Sequence, residues 1–99
     1  MAGELFRNVV RPAKPGVRYA CPCCKYLTLT TRGWYEICPV CGWEDDGQDD
    51  HDAEELRGGP NKVSLQKARS HYLAFGASEE RRSSRVRRPH EDEYPEESR

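Results

Sequence analysis

Two patterns of hydrophobic residues divide the chain, one with the spacing of strands and one with the spacing of a helix. Residues 26–30 alternate and are rich in β-forming side chains, and residues 17–20 and 34–37 are further short candidates. This pattern predicts short strands. Residues 31–33 end in Gly33, which adopts the positive φ of a tight turn at little cost. We therefore predict a hairpin of residues 26–30 and 34–37, preceded by a strand at 17–20.

The helical pattern lies in the second half of the chain. Apolar side chains recur there at helical spacing, namely Leu65, Ala68, Tyr72 and Phe75, with Leu73 beside them. Ser64 precedes the run as an N-cap, and Gly76 follows it as the C-terminal stop. An isolated helix of this length is marginal in water, so we expect its apolar stripe to pack on the hairpin.

The remaining segments are polar and lack periodicity. We predict a flexible N-terminal arm at residues 1–16, a folded domain at 17–78 and a charged, largely disordered tail at 79–99. Residues 44–61 contain three glycines and a proline, so they are expected to form a loop inside the domain.

Two pairs of cysteines are the main chemical signal. Cys21 and Cys24 form one C-x-x-C motif and Cys38 and Cys41 form the other, with proline after the first cysteine of each and thirteen residues between them. Each pair should fold as a tight turn, here called a knuckle, that directs two sulfurs to one point. Facing knuckles supply the tetrahedral thiolate set of a structural zinc site. We predict one Zn²⁺ per chain; iron and a redox-active dithiol are alternatives.

These elements define a fold class. We expect a small metal-stabilised α+β domain with a zinc-ribbon or rubredoxin-like β-hairpin, two C-x-x-C knuckles and one C-terminal α-helix. Only 35% of the 99 residues are hydrophobic and 33% are charged, so little apolar surface can be buried. A structural zinc contributes about 10–16 kcal/mol of apparent binding free energy near neutral pH. The metal should therefore decide whether the domain folds.

A fifth cysteine, Cys23, lies at the tip of the first knuckle. We expect it to pack locally, although it could instead be a reactive thiol or replace Cys24 as a ligand. Five cysteines are an odd number, which suits a disulfide framework poorly. No segment is apolar enough to span a membrane, and the first residues lack a signal-peptide pattern. We therefore expect the reducing cytoplasm.

Charge is distributed unevenly, although the net charge is only -1. Residues 1–42 carry six Lys and Arg against two acids, whereas residues 44–55, called the acidic loop, carry eight acids and no Lys or Arg. We expect the acidic loop to be a solvated interaction surface, since burying it would be costly. A hydrolytic metal site using its carboxylates and His51 is an alternative.

Arginine is concentrated in residues 81–88, where it fills five of eight positions. Such a run could bind nucleic acid, but acids flank it on both sides. Docking on the acidic loop of the same chain is an equal possibility. Among the aromatic residues, we expect Trp43 in the core and one of Trp34 and Tyr35 in solvent.

Several blocks occur in an order that resembles the bacterial cysteine-rich CPCC family. They are CPCC at 21–24, YEICPVCGWEDDG at 35–47, GGPN at 58–61 and SLQKARSHYLAFG at 64–76. The resemblance implies a small bacterial metal-binding domain and implies no reaction.

Together these features favour a binding module over an enzyme. We expect the metal to build a surface with which the chain contacts another protein through complementary charge. A nucleic-acid-binding ribbon, and a redox or enzymatic protein using Cys23 or the acidic loop, are the other classes.

Overall fold

The computed structural model describes residues 7–95. They form a two-stranded antiparallel sheet, one α-helix and three short 3₁₀ helices. The strands are β1, Tyr19–Ala20, and β2, Leu27–Leu29, and the α-helix is α1, Leu65–Phe75. The 3₁₀ helices span Asp50–Asp52, Glu80–Arg85 and Glu91–Glu93. This is a small α+β arrangement. No helix in the described range is long and apolar enough to cross a bilayer.

The hairpin surrounds the first knuckle, so the predicted pairing of residues 26–30 with 34–37 is wrong. β1 pairs with β2, with Tyr19 opposite Leu29. Residues 34–37 form no strand; Ile37 makes only an isolated bridge with Glu44. Tyr35 has a φ of 66°, which no extended strand allows. Each knuckle therefore has its own short antiparallel pairing.

The turn at Gly33 is confirmed, and it anchors the N-terminal segment. Gly33 has a φ of 79°, and a Cβ there would lie 2.5 Å from the carbonyl oxygen of Val9. The Arg11 N–H donates to the Arg32 carbonyl at 3.0 Å, and Val9 donates to Gly47 at 2.9 Å. Residues 1–6 of the predicted flexible arm lie outside the described residues. Residues 9–11 are held by backbone hydrogen bonds.

Helix α1 begins and ends where the sequence predicts. The Ser64 side chain accepts a hydrogen bond from the Lys67 N–H at 3.1 Å, and Gly76 closes the helix with a φ of 85°. Its buried face is shorter than expected, because Leu65 and Ala68 are fully buried but Phe75 is 45% exposed. Tyr72 is partly buried and also packs against the core, so Phe75 is the one member of the predicted stripe that is exposed.

The core is built around the cysteines. Trp43 is fully buried, as predicted, and packs in the same cluster as Leu29, Leu65 and the five cysteines. Aliphatic side chains are few in this cluster. The knuckles thus occupy the place that a larger apolar core fills in bigger domains.

The acidic loop is partly buried, which contradicts its expected role as a fully solvated surface. Asp45 and Asp52 are 0% and 6% exposed. The Arg32 Nε donates to Asp45 at 2.9 Å, and Arg57 pairs with Asp52. The backbone N–H of Gly33 also donates to Asp45 at 2.8 Å. Arginines from other segments thus offset the cost of burying these carboxylates.

The C-terminal segment, residues 78–93, packs on the domain, although the sequence predicted a disordered tail from residue 79; residues 96–99 of that tail lie outside the described residues. Ser78 donates its backbone N–H to the Cys41 carbonyl at 2.7 Å, and Arg87 donates to the Pro39 carbonyl at 3.1 Å. Glu93 is only 4% exposed. Both backbone bonds cover the second knuckle, so this segment belongs to the folded unit.

Candidate metal centre

The four predicted cysteines meet at one point. The sulfurs of Cys21, Cys24, Cys38 and Cys41 all lie within 4.8 Å of one another. Two of the separations are 3.6 Å, between Cys21 and Cys41, and 3.7 Å, between Cys24 and Cys38. A tetrahedral zinc site with bonds of about 2.3 Å requires sulfurs about 3.8 Å apart. The cluster is therefore the right size for a single metal ion, and no disulfide joins its members.

Backbone N–H groups support the sulfurs within each knuckle. Cys23 donates to the Cys21 sulfur, Val40 donates to the Cys38 sulfur, and Trp43 donates to the Cys41 sulfur, each at 3.4 Å. Such bonds stabilise negative charge on sulfur and fix its direction. The tight turns follow from proline after the first cysteine, which presets φ.

A hydroxyl adds a further contact at the second knuckle. The Thr28 oxygen lies 3.0 Å from the Cys38 sulfur, and strand β2 places it there. A hydroxyl that contacts a sulfur in this way can hold the sulfur in the direction needed to bind a metal. The sequence contained no signal for this role beyond the position of Thr28 in a predicted strand.

The electrostatics of the cluster favour a bound cation. Burial raises the pKa of the Cys21 thiol, whereas hydrogen bonds from Cys21 and Cys24 lower the pKa of Cys38. Four buried sulfurs this close cannot all carry a negative charge without compensation. A divalent cation supplies that compensation, and thiolates are the ligands that soft and borderline metals prefer.

All four ligand candidates are buried, with exposed fractions between 0% and 8%. Four sulfurs complete a tetrahedral shell and leave no position for water or substrate. The arrangement can therefore hold an ion and cross-link the two knuckles. It offers no open site of the kind used in metal-assisted hydrolysis.

Cys23 lies outside the ligand cluster. It is 5% exposed and occupies the same place in its knuckle as Val40, which is 1% exposed. Its backbone N–H donates to the sulfur of Cys21. Its burial agrees with the expectation that it packs locally, and disagrees with that of an exposed reactive thiol.

The acidic loop does not assemble a second metal site. Among residues 7–95, the four cysteines are the one group of His, Cys, Asp and Glu side chains close enough to hold an ion. His51 places its Nε2 2.6 Å from the Arg7 carbonyl oxygen. The Asp49 carboxylate accepts from Arg32 at 2.9 Å, and Asp50 pairs with Arg69 at 2.7 Å. These contacts occupy the groups that the hydrolytic alternative would need.

The arginine-rich run docks on its own chain, and its ion pairs are with glutamates of the C-terminal segment rather than with the acidic loop. Arg81 pairs with Glu79 at 2.7 Å, and Arg87 pairs with Glu93 at 2.8 Å. Arg82 donates to the Asn61 side chain at 2.8 Å and also to the carbonyl of Gly42. Glu79 and Glu93 are both buried, which the sequence did not predict. The one signal for these pairs in the sequence was the presence of acids on both sides of the run.

Comparisons with known proteins identify one family. The model of a family described as cysteine-rich CPCC matches residues 19–93, a range that includes both knuckles, helix α1 and the C-terminal segment. The search of curated proteins and the search of solved structures each found no match.

Proposed function

The chain belongs to the cysteine-rich CPCC family, and we propose that it is a small zinc-ribbon-like module in which one Zn²⁺ has a structural role. The observation that carries this proposal is the closed cluster of four buried sulfurs. Zinc suits it because thiolates bind Zn²⁺ strongly in tetrahedral geometry without any redox requirement. Iron in the same shell is the competing metal.

The proposal excludes catalysis at the metal. Because four sulfurs fill the shell, a bound water has no position in which to be activated. X-ray absorption on the purified protein should detect four sulfur scatterers at about 2.3 Å. An oxygen or nitrogen ligand in that spectrum would reopen the enzymatic alternative.

We further propose that the metal-built domain binds another protein, in a reducing compartment where its thiols persist. Its support is the number of large apolar side chains left in solvent, among them Trp34, Ile37, Leu56 and Leu73. A nucleic-acid partner has less support, because Arg81, Arg82 and Arg87 are engaged within the chain.

The decisive experiment measures metal content and fold together. Protein purified without added metal should contain about one zinc per chain, and removal by a strong chelator should abolish its near-UV circular dichroism. Affinity capture with the zinc-loaded chain, followed by titration of each purified candidate, then tests the binding role. A chelated chain that keeps its fold would contradict the structural role of the metal.

A further inference from the structure

Three of the four residues in 34–37 expose a large apolar side chain to solvent. Trp34 is 63% exposed, Tyr35 is 54% exposed and Ile37 is 59% exposed. We call these three side chains the aromatic patch. Tryptophan and tyrosine are the residues most enriched among the energetic centres of protein interfaces. In a domain with so little apolar material, leaving them in water is unfavourable unless something covers them.

The backbone at Tyr35 holds the patch open. A strand directs successive side chains to opposite faces, so Trp34 and Tyr35 could not both face solvent in one. The φ of 66° at Tyr35 breaks that alternation and exposes both rings. A non-glycine residue in this conformation is strained and persists when the surrounding structure enforces it. Here the enforcing bond is the Tyr35 N–H donating to the Asp45 carbonyl at 2.8 Å.

A cleft of about 340 Å³ adjoins the patch. It shares Ile37 with the patch, and its other lining includes Pro39, Glu44, Arg81, Arg82 and Arg85. Three arginines against one glutamate make this lining basic. Arg85 is exposed and, among the described residues, enters no ion pair, whereas Arg81 and Arg82 share Glu79. The cleft is therefore suited to a carboxylate with an apolar group beside it.

Ile37 also presents free backbone groups. In its bridge with Glu44 the hydrogen bonds are made by the neighbouring residues: Cys38 donates to Trp43, and Asp45 donates to Glu36, both at 2.9 Å. The N–H and C=O of Ile37 consequently point to the opposite edge, where no residue in the range 7–95 forms a backbone hydrogen bond with them. An open edge of this kind accepts an extended segment.

We propose that the aromatic patch and the basic cleft together bind an extended protein segment in which acidic residues alternate with apolar ones. Its backbone pairs with Ile37, its apolar side chains cover the Trp34 and Tyr35 rings, and a carboxylate reaches Arg85. The inference rests on the proposed binding function and specifies its surface and partner. A peptide fits better than a nucleic acid because Glu44 lies in the cleft and the chain has a net charge of -1.

The test is a selection with a defined probe. A random peptide library displayed on phage is selected against the zinc-loaded chain of 99 residues, and the enriched peptides are titrated by fluorescence anisotropy. The expected result is a consensus with alternating acidic and apolar residues, and affinity that falls as salt rises. Failure to enrich any peptide, or a consensus without acidic residues, overturns the proposal.

Variants then locate the site. Trp34→Ala and Arg85→Glu should each weaken peptide binding by about tenfold. The matched controls are Leu73→Ala and Arg88→Glu, which alter exposed residues outside the patch and the cleft. Each control should change the affinity by less than about twofold. When the phage selection is repeated with the Arg85→Glu variant as the target, it should enrich basic peptides in place of acidic ones. Equal losses in the test and control variants would contradict the assigned site.

Tyr35→Gly separates binding from stability. Glycine adopts the required φ without strain, so the melting temperature should stay level or rise while peptide affinity falls. A fall in melting temperature with unchanged affinity would assign Tyr35 a structural role and overturn its place in the patch. Metal content is measured on every variant, so loss of the zinc site is distinguished from loss of the peptide site.

A final arm addresses nucleic acid. A single-stranded oligonucleotide is titrated under the same conditions, and no salt-sensitive binding is expected. Oligonucleotide binding that is lost in Trp34→Ala and Arg85→Glu would overturn the peptide proposal in favour of base stacking on the patch. A captured cellular protein that binds all variants equally would leave the general binding function intact and refute this surface.

Discussion

The two knuckles share one backbone and differ in what covers them. In the first, the Lys25 N–H donates to the Cys21 carbonyl at 2.8 Å, and in the second the Gly42 N–H donates to the Cys38 carbonyl at 2.8 Å. The residue that ends each turn has positive φ, 76° at Lys25 and 85° at Gly42. Lys25 is exposed, whereas Gly42 is buried beneath Arg82. The same turn thus tolerates a side chain in solvent and excludes one under the C-terminal segment.

The contrast separates two sources of order. The turn and its N–H bonds to sulfur come from the C-x-x-C motif and recur in both knuckles. Coverage comes from distant segments. Arg69 of α1 donates to the Pro22 carbonyl at 2.9 Å over the first knuckle, and the C-terminal segment contacts the carbonyls of Pro39 and Cys41 over the second. The turn and its hydrogen bonds are therefore common to both knuckles, whereas the covering segments differ between them.

The largest expected effect treats both knuckles alike. Cys21→Ser and Cys38→Ser should each abolish stoichiometric metal and the folded state, because a structural zinc contributes about 10–16 kcal/mol and a small domain is stable by only about 5–15 kcal/mol. Cys23→Ser and Cys23→Val are the controls and should retain one metal, since Val40 fills the equivalent place. Elemental analysis and circular dichroism measure both quantities. Metal loss in Cys23→Val would show that the ligand set is wrong.

The next effect concerns the chain that leaves the second knuckle as the acidic loop. Asp52 has a side chain only 3% exposed and pairs with Arg57, whereas the Asp50 side chain is 76% exposed. Asp52→Asn should lower the free energy of unfolding by about 3 kcal/mol, because it leaves a partly buried guanidinium without its carboxylate partner. Asp50→Asn should cost less than about 1 kcal/mol. Urea unfolding measures the free energy of unfolding of each variant. Equal losses in Asp52→Asn and Asp50→Asn would indicate that the acidic loop is solvated throughout.

A smaller effect tests the knuckle ends directly. Gly42→Ala should destabilise by about 2 kcal/mol, since the new Cβ would lie 3.1 Å from the Arg82 Cβ in a backbone region that alanine disfavours. Lys25→Gly should be neutral or stabilise by up to about 1 kcal/mol, because it relieves the same strain in solvent. Thermal unfolding with metal held constant measures both. Equal destabilisation by the two changes would contradict the difference in coverage.

Local chemistry explains which features could be read from sequence. The helix limits followed from Ser64 and Gly76, and the sulfur cluster followed from cysteine spacing, because both depend on residues close together in the chain. Pairing between distant segments was harder. Alternation at residues 34–37 predicted a strand, but the backbone of Tyr35 bonds to Asp45 beyond the second knuckle and takes a positive φ. Local pattern contains no information on such partners.

Burial of charge was missed for the same reason. A run of acids normally indicates solvent, yet Arg32, thirteen residues before Asp45, and Arg57, five residues after Asp52, bring their guanidinium groups to it. The C-terminal segment repeats the case with Arg87 and Glu93. Counting charges within the acidic loop excluded its partners, because Arg32 and Arg57 lie outside residues 44–55.

The smallest effect uses pH to test the cover of the second knuckle. The pKa of Glu93 is lowered to about 2, and the main cause is a pair of hydrogen bonds that Arg87 donates to its carboxylate. A carboxyl with a depressed pKa stabilises the fold fully above its unfolded value of about 4.3, and the contribution is lost as the pH falls from there toward 2. Arg87 is 35% exposed, so water screens the pair, and we expect it to contribute about 1 kcal/mol to the free energy of unfolding near pH 7.

Glu93→Gln should therefore melt a few degrees lower than the wild type above about pH 5. The difference in melting temperature should narrow at lower pH, until the metal is released. It should also speed hydrogen exchange at the Arg87 N–H that binds Pro39, while leaving the Lys25 N–H of the first knuckle unchanged. Equal acceleration at both amides would mean that Glu93 stabilises the whole domain, and the distinction between the two covers would then be lost.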